Sequence, residues 1–248
     1  MTEAKKMLFE KLNDRGFRFP TSFIALDSET TAESVEFGRL PVQLALVEVV
    51  DGEVKHANEI FLNWTIGNAV PASSFIAELN KINYIMQEKG ETFPITYQMI
   101  CEKGKPAVSG LKHFMTQLVA YIDLGWPIVG HNIHGFDADL LNKAAHKYLD
   151  GFEIPWHKTS VLDTGLFEKA IKNDFYCYDG EPIEAWQRRV ARIMSSTKWN
   201  LRHCVAQYGL TEKLAGHAAH NAVSDCMAVA HLVHVFNRML DEGASGKN

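Results

Sequence analysis

The sequence predicts an α/β protein in which helices cover a mixed β-sheet. Strand-like apolar runs open the chain, and Asp51-Gly52 provides a hairpin turn between the second run and the third. After residue 110 the pattern changes, because short apolar runs alternate with segments in which apolar residues recur at helical spacing. Antiparallel strands followed by alternating strands and helices are typical of a mixed sheet with helices on its faces.

Strands are predicted where apolar residues run together between turn signals. The run Phe23-Ile24-Ala25-Leu26 ends in Asp27, as expected of a buried strand that delivers a polar residue at its end. The predicted strands are 23–26, 42–50, 54–62, 127–130 and 161–162.

Helices are predicted where apolar residues recur every three or four positions. The final helix shows the clearest stripe, which consists of Ala222, Cys226, Val229, Val233 and Phe236. The predicted helices are 3–13, a mixed helical pattern around 73–88, 111–122, 136–149, 164–172, 183–194, 198–208 and a last one from about 222. The tail 242–248 is expected to be disordered.

Composition and charge limit the class of protein. The 248 residues, 46% hydrophobic and without an obvious boundary, predict a single domain over 1–248 with an inserted or divergent segment at 63–109. The net charge of −5 argues against nonspecific wrapping of duplex nucleic acid. Four cysteines without C-x-x-C spacing predict reduced thiols and a cytoplasmic location. With no signal-peptide stretch and no run of about 20 apolar residues, we expect no membrane span.

Two acidic residues stand close together at the end of the first predicted strand. Asp27 and Glu29 are two positions apart, and residues at that spacing point to the same face of a strand. Neighbouring carboxylates repel each other unless a cation binds them, and hard cations such as Mg²⁺ take oxygen ligands. The pair therefore indicates a metal site, and the alternative is a polar strand end without a ligand.

Two further motifs contain acidic residues. Asn132 to Asp137 follow a short strand and open a helix, where the helix dipole favours a carboxylate. The alternative for Asp137 is an ordinary helix-start residue. His220 and Asp225 form an H-x4-D pattern at the start of the last helix. Because five positions on a continuous helix are about 140° apart, their side chains converge only if His220 lies in the loop before the helix.

Together and in this order, the motifs resemble those of the DEDDh family of 3′–5′ exonucleases, which includes the proofreading ε subunit of bacterial replicases. The resemblance covers about 22–62 and 127–240. The similar segments are Asp27-Ser28-Glu29-Thr30-Thr31, Arg39 with Pro41 and Gln43, Asp163-Thr164, Asn200-Leu201 with Tyr208-Gly209-Leu210, and His220-Asn221-Ala222 with Asp225. Two segments depart from the family pattern: 63–109 shows no clear H-G-I-T motif, and 172–197 is longer than in compact members.

The resemblance implies a fold, a cofactor and residue roles. The implied fold is RNase H-like, with a five-stranded mixed sheet of an antiparallel meander followed by parallel strands, flanked by helices. The implied cofactor is two Mg²⁺ ions, for which Mn²⁺ substitutes. The implied roles are ion binding by Asp27, Glu29, Asp137 and Asp225, general-base catalysis by His220, and contact with the 3′-terminal nucleotide by Thr30 and Asn132.

The resemblance further implies hydrolysis of DNA from single-stranded or frayed 3′ ends, with release of nucleoside 5′-monophosphates. RNA ends are an alternative substrate, and a polymerase partner is left open. An alternative outside the enzyme class is a noncatalytic subunit that binds nucleic acid. A zinc protein is a third alternative, and the histidines that raise it are His131, His134, His217 and His220.

Aromatic and basic residues suggest further contacts to nucleic acid. Within 63–109, we expect Trp64, Phe93 or Tyr97 to stack on a base, and the alternative is that they are core residues. A basic stretch could contact phosphates or form a solvated helix face. It consists of Arg188, Arg189 and Arg192, with Lys198 and Arg202 after them.

Overall fold

The structure of the protein, a computed structural model, describes residues 3–14, 16–31 and 39–245. The strands in these ranges are β1 (Phe23–Thr30), β2 (Pro41–Val50), β3 (Glu53–Asn63), β4 (Lys105–Pro106), β5 (Ile128–Gly130) and β6 (Val161–Asp163). The helices are α1 (Glu3–Asp14), α2 (Ala72–Glu88), α3 (Tyr97–Lys103), α4 (Ala107–Asp123), α5 (Asp137–Tyr148), α6 (Thr164–Lys172), α7 (Ile183–Ala191), α8 (Leu201–Gln207) and α9 (Ala222–Ser245). None of these helices is both long enough and apolar enough to cross a membrane.

The strands form one mixed sheet in the order β4-β3-β2-β1-β5-β6. β2 is antiparallel to both of its neighbours, β1 and β3, whereas β5 runs parallel to β1 and β6 runs parallel to β5. This arrangement confirms the predicted fold class. The expected number of five strands is wrong by one, because Lys105 and Pro106 pair with Leu62 and Asn63 at the edge of the sheet. Two paired residues are too few to give an apolar strand pattern.

β1 is longer than its apolar run predicts. Its pairing with β2 continues through Asp27, opposite Ala45, and Glu29, opposite Gln43. The two carboxylates therefore lie within the strand and not beyond its end. The prediction stopped at Leu26 because it followed side-chain polarity, whereas the hydrogen bonds of a ladder join backbone groups of any residue type.

Each face of the sheet packs against its own layer of helices. Ile24 and Leu26 lie in a core with α2, α4 and α5, whereas Phe23 and Ala25 lie in a second core with α1, α6 and α9. This division follows from the alternation of side chains along a strand. An almost uninterrupted apolar run is expected of a strand that is buried on both faces.

The helix bounds differ from the predicted ones mainly between residues 183 and 245. α7 ends at Ala191, and α8 starts only at Leu201 because the Asn200 side chain caps it by accepting a hydrogen bond from the backbone of His203. α9 continues to Ser245, so the predicted disorder of 242–245 is wrong. Residues 246–248 lie outside the described residues.

Candidate active site

Four carboxylates from three elements line one cavity of about 540 Å³. Asp27 and Glu29 belong to β1, Asp137 is the first residue of α5, and Asp225 lies in the first turn of α9. His220 lines the same cavity from the loop before α9. The structure thus brings together all five residues that the three motifs indicate.

The position of the cavity follows from the register of the sheet. The pairing of β1 with β5 ends at Ala25 and Val129, so within the described residues no strand covers that side of β1 beyond Leu26. The rest of β1 is still held by β2 on its other side. This part of β1 is therefore paired on one side only, and its other side borders the cavity. Asp27 and Glu29 lie on this part of the strand.

The carboxylates reach the cavity from both faces of the sheet. Asp27 and Glu29 continue the face of Ala25, which packs toward α9, and Ser28 continues the face of Leu26, which packs toward α5. In agreement, the Ser28 hydroxyl donates a 2.5 Å hydrogen bond to Oδ1 of Asp137. β1 is therefore the element that joins the two helix layers at the cavity.

Burial disfavours the ionised form of all four carboxyl groups. It raises the pKa of Asp27 from 3.8 to about 7. Burial also raises the pKa of Glu29, Asp137 and Asp225 well above the ordinary value, and the nearby charge of Asp27 adds to the increase in each. Buried carboxylates this close together need protons or cations to neutralise them near neutral pH.

The donor atoms at this cavity fit a divalent cation. One ligand atom each from Glu29, His220 and Asp225 lies within 4.8 Å of the other two. Oδ2 of Asp27 is buried and accepts no hydrogen bond from the described residues. Carboxylate oxygens with at most one imidazole are typical ligands of hard cations such as Mg²⁺ and Mn²⁺.

The histidine-rich zinc site considered as an alternative does not form. Nδ1 of His131 lies 3.0 Å from the Thr164 hydroxyl, and Nε2 lies 2.8 Å from the Trp199 carbonyl oxygen, so both ring nitrogens are engaged. His134 and His217 are exposed. In the part of the chain that the structure describes, the only histidine of a metal-ligating group is His220.

His220 lies in the loop before α9, as the H-x4-D spacing requires. Its φ of 58° is in the left-handed region, which turns the chain just before α9 begins at Ala222. The backbone N–H of Ala222 donates a 3.0 Å hydrogen bond to Oε1 of the buried Gln43 on β2. This bond fixes the loop to the strand next to β1.

A glutamate that sequence reasoning missed contacts His220. Oε2 of Glu91, in the connection between α2 and α3, lies 2.8 Å from Nε2 of His220, and Oε1 accepts a 3.0 Å hydrogen bond from Arg202. Burial acts to raise the pKa of Glu91, but the hydrogen bonds and charges of His220 and Arg202 lower it below the ordinary value. Glu91 and His220 are 129 positions apart, so no local pattern could have paired them.

Asp163 organises the loop that carries Asn132. Its carboxylate accepts hydrogen bonds from the backbone N–H groups of Asn132, at 2.8 Å, and of His134, at 3.3 Å. Oδ1 also accepts from Gly165 and Leu166, and so caps α6. Asn132 has a φ of 64° and lines the cavity, as does Thr30. The resemblance marked Asp163 as a matching residue, but only the structure shows these contacts.

The aromatic wall of the cavity differs from the prediction. Trp64 is fully buried, with its ring 4.5 Å from that of Tyr148, and Tyr97 packs on Phe75, so neither lines the cavity. Both side chains pack with the apolar core around α2 and do not face the cavity. Phe93 does line the cavity, together with Phe136 and Trp199, which the sequence analysis did not select. Phe136 and Trp199 directly precede the motif residues Asp137 and Asn200 in the sequence. This adjacency is the signal by which they could have been selected.

Two of the five residues of the basic stretch form ion pairs. Arg189 binds Glu181 with an N–O distance of 2.7 Å, and Arg202 binds Glu91. Lys198 is exposed and lines the cavity, so it is the member of the stretch whose placement suits contact with a bound phosphate.

By sequence, no family model and no curated protein matches the chain. Solved structures are similar in fold. E. coli exonuclease I bound to a dA16 oligonucleotide has a TM-score of 0.57 at 16% identity, over 90% of this chain and 43% of that chain. A full-length 3′-exonuclease has a TM-score of 0.50 at 14% identity, over 91% and 84%. Cell-death related nuclease 4 has a TM-score of 0.51 at 15% identity, over 90% and 64%.

These similarities show that the chain shares its fold with these proteins, in agreement with the fold that the motifs implied. The chain spans less than half the length of exonuclease I, whose structure extends beyond the shared fold. Sequence identities of 14–16% are evidence for a shared fold but not for a shared substrate.

Proposed function

We propose that the protein is a divalent-metal-dependent 3′–5′ exonuclease that releases nucleoside 5′-monophosphates from the 3′ ends of DNA. The observation that carries this proposal is the convergence of four carboxylates, two buried and two half-buried, and one histidine on a single cavity. The exonuclease-type fold supports it independently. We further propose that 1–248 forms a single exonuclease domain, with 63–109 as its inserted or divergent segment.

The carboxylates would hold two Mg²⁺ ions, with Mn²⁺ as a substitute. Asp27, Glu29 and Asp225 would bind the first ion, and Asp27 and Asp137 the second. When bound, such ions lower the pKa of an attacking water and neutralise charge on the phosphate and the leaving 3′-oxygen. The raised pKa values and the unpartnered Oδ2 of Asp27 support this assignment, because cations would relieve both the repulsion and the missing contact.

His220 would act as the general base. A neutral imidazole has a lone pair on one ring nitrogen, which can accept a proton from water. The water oxygen attacks the phosphorus, His220 takes one proton of the water, the bond from phosphorus to the 3′-oxygen breaks, and the released 3′-oxygen takes a proton from solvent. Its place at the edge of the acidic cluster, outside the helix, supports this role.

The cavity would receive one unpaired nucleotide. Its polar side carries Thr30 and Asn132, which we assign to the sugar and phosphate of the 3′-terminal nucleotide. Its apolar side carries Phe93, Phe136 and Trp199, which suit the face of a base. Because a base must leave its stack to enter such a cavity, single-stranded or frayed ends would be cut faster than paired ends.

RNA is the second candidate substrate, since the contacts that distinguish a 2′-hydroxyl depend on details of this polar side. The DNA assignment is supported by the oligonucleotide bound in exonuclease I, whose fold is similar. A noncatalytic binding subunit is less well supported, because all five residues of the constellation are present and converge. A cytoplasmic location and a polymerase partner remain proposals that rest on sequence alone.

The deciding experiment follows product formation from matched 3′-labelled and 5′-labelled DNA and RNA oligonucleotides, with Mg²⁺ and with chelator. We expect stepwise release of nucleoside 5′-monophosphates from the 3′ end, only with the metal. Cleavage that persists undiminished in chelator would contradict the proposal. So would cutting of a closed single-stranded circle as fast as of the linear strand.

A further inference from the structure

Glu91 contacts His220 without lining the cavity itself, and the proposed mechanism does not use it. It follows α2, which ends at Glu88, and precedes α3, which begins at Tyr97, so it belongs to the segment 63–109. We propose that Glu91 is a positioning residue that fixes the orientation and the tautomer of the His220 imidazole. This inference rests on the proposed role of His220 as the general base.

The two oxygens of Glu91 have different partners. Oε2 lies 2.8 Å from Nε2 of His220, and Oε1 accepts a 3.0 Å hydrogen bond from Nη1 of Arg202 on α8. The side chains of Glu91 and His220 are 20% and 27% exposed, so water competes only partly for these contacts. Two bonds to two elements fix the plane of the carboxylate, which a single bond would leave free to turn.

His220 needs such a partner because its backbone alone does not orient its ring. The loop is fixed by the left-handed φ of 58° and by the bond from Ala222 to Gln43, and neither restricts rotation of the imidazole. Within the described residues, the hydrogen bond that the His220 ring forms is the one to Glu91. Removing the Glu91 carboxylate would therefore leave the ring free to adopt other rotamers.

The chemistry of the contact also selects a tautomer. An ionised carboxylate only accepts hydrogen bonds, so Nε2 of His220 must carry the hydrogen. The lone pair of a neutral imidazole then lies on Nδ1, which is the nitrogen that can take a proton from water. Once Nδ1 is protonated, the negative charge of Glu91 stabilises the imidazolium. Arg202 contributes by keeping Glu91 ionised and in place.

The test combines rate measurements with a double-mutant cycle. Glu91→Ala should lower kcat by about 10- to 100-fold, with KM and metal affinity unchanged, because substrate and ions do not bind to this carboxylate. Glu91→Gln should retain more of kcat than Glu91→Ala, since its amide oxygen can still accept from Nε2. In a His220→Ala background, Glu91→Ala should cause no further loss, because its effect acts through the imidazole.

Glu102→Ala is the matched control. Glu102 is an exposed glutamate of the same segment, and it bonds to Gln98 one turn away on α3. Its replacement should leave kcat and KM as in the wild type. A Glu91→Ala variant that is as active as this control would overturn the inference, as would one that loses as much rate in the His220→Ala background as in the wild type.

Nuclear magnetic resonance of the imidazole nitrogens separates this inference from the proposed function. The His220 signals are identified by their loss in His220→Ala. Glu91→Ala should change their tautomer pattern, whereas Glu102→Ala should not. If the wild type releases no nucleotide but the pattern responds to Glu91, the proposed function fails and the positioning contact stands. If the pattern is identical in Glu91→Ala and in the wild type, the positioning role itself is wrong.

Discussion

The Ser28 hydroxyl donates a 2.5 Å hydrogen bond to Oδ1 of Asp137 and so joins β1 to the first residue of α5. The carboxylate of Asp137 is therefore held by the same strand that presents Asp27 and Glu29. Because neither partner of this bond is Asp27, Glu29 or Asp225, replacing any of these three residues removes no atom of the bond.

Replacing Asp27 or Asp225 by alanine should nearly abolish hydrolysis, because each change removes a proposed ion ligand. Folding should persist, since the metal-free protein loses one of several mutually repelling groups. Asp139→Ala is a suitable control, because Asp139 lies on α5 and forms an i,i+4 ion pair with Lys143. Calorimetry with Mg²⁺ and a product assay check this, and a variant with wild-type metal binding and activity would contradict the assignment.

The stability of the metal-free protein should decrease as pH rises. Asp27 has a pKa of about 7 in the folded protein and an ordinary value of 3.8, so the folded state binds more protons between these values. Stability from this group is fully present below about 4 and is lost as pH rises through about 7, on the order of a few kcal/mol. Thermal unfolding in chelator should give a lower Tm at pH 8 than at pH 5.

Added Mg²⁺ should raise Tm more at pH 8 than at pH 5, because the cation competes with protons for the same carboxylates. Asp27→Asn should weaken the pH dependence, since it removes the titrating group but keeps the shape of the side chain. A Tm in chelator that rises steadily from pH 5 to pH 8 would show that these carboxyl groups do not dominate the pH dependence of stability.

His220→Ala should lose turnover while retaining oligonucleotide and metal binding. Loss of a general base typically costs about 10²- to 10⁴-fold in rate. Part of the rate should return at higher pH, where hydroxide replaces the base. His217→Ala should behave as the wild type, because His217 is exposed and lies in the loop before His220. The reverse result for the two variants would show that the histidine has been wrongly assigned.

Trp199→Ala and Trp64→Ala should have opposite effects. Trp199 lines the cavity, so its loss should weaken oligonucleotide binding by about 1–3 kcal/mol with little change in stability. Trp64 is fully buried, so its loss should reduce stability by about 3–5 kcal/mol. Fluorescence anisotropy with a labelled oligonucleotide and thermal unfolding distinguish the two effects. Unchanged oligonucleotide affinity in Trp199→Ala would remove this residue from the proposed binding wall.

Most of the sheet, and the grouping of the five motif residues around one cavity, could be predicted from the sequence because both leave local patterns. Buried strands give apolar runs, and the acidic motifs have fixed spacings near strand ends or helix starts. β4 was missed because two residues carry no period, and β1 was cut short at Leu26 because Asp27 interrupts the apolar run.

Contacts between distant segments could not be predicted in this way. Glu91 meets His220 across 129 positions, and Asp163 meets the backbone of Asn132 across 31. Both contacts depend on how the helix layers pack, which the spacing of residues along the chain does not encode. Trp64 illustrates the same limit, since its neighbours along the chain did not show whether it faces the cavity or the core.

The position of Asp225 on α9, the last of the described helices, has a consequence for biosynthesis. A growing chain that has not yet reached residue 220 already contains Asp27, Glu29 and Asp137 but has neither His220 nor Asp225. The set of proposed catalytic groups would thus be complete only after α9 has been synthesised and has packed against β1. A nascent chain that ends before residue 220 would therefore lack two of the five groups of the proposed site and would not act as a nuclease.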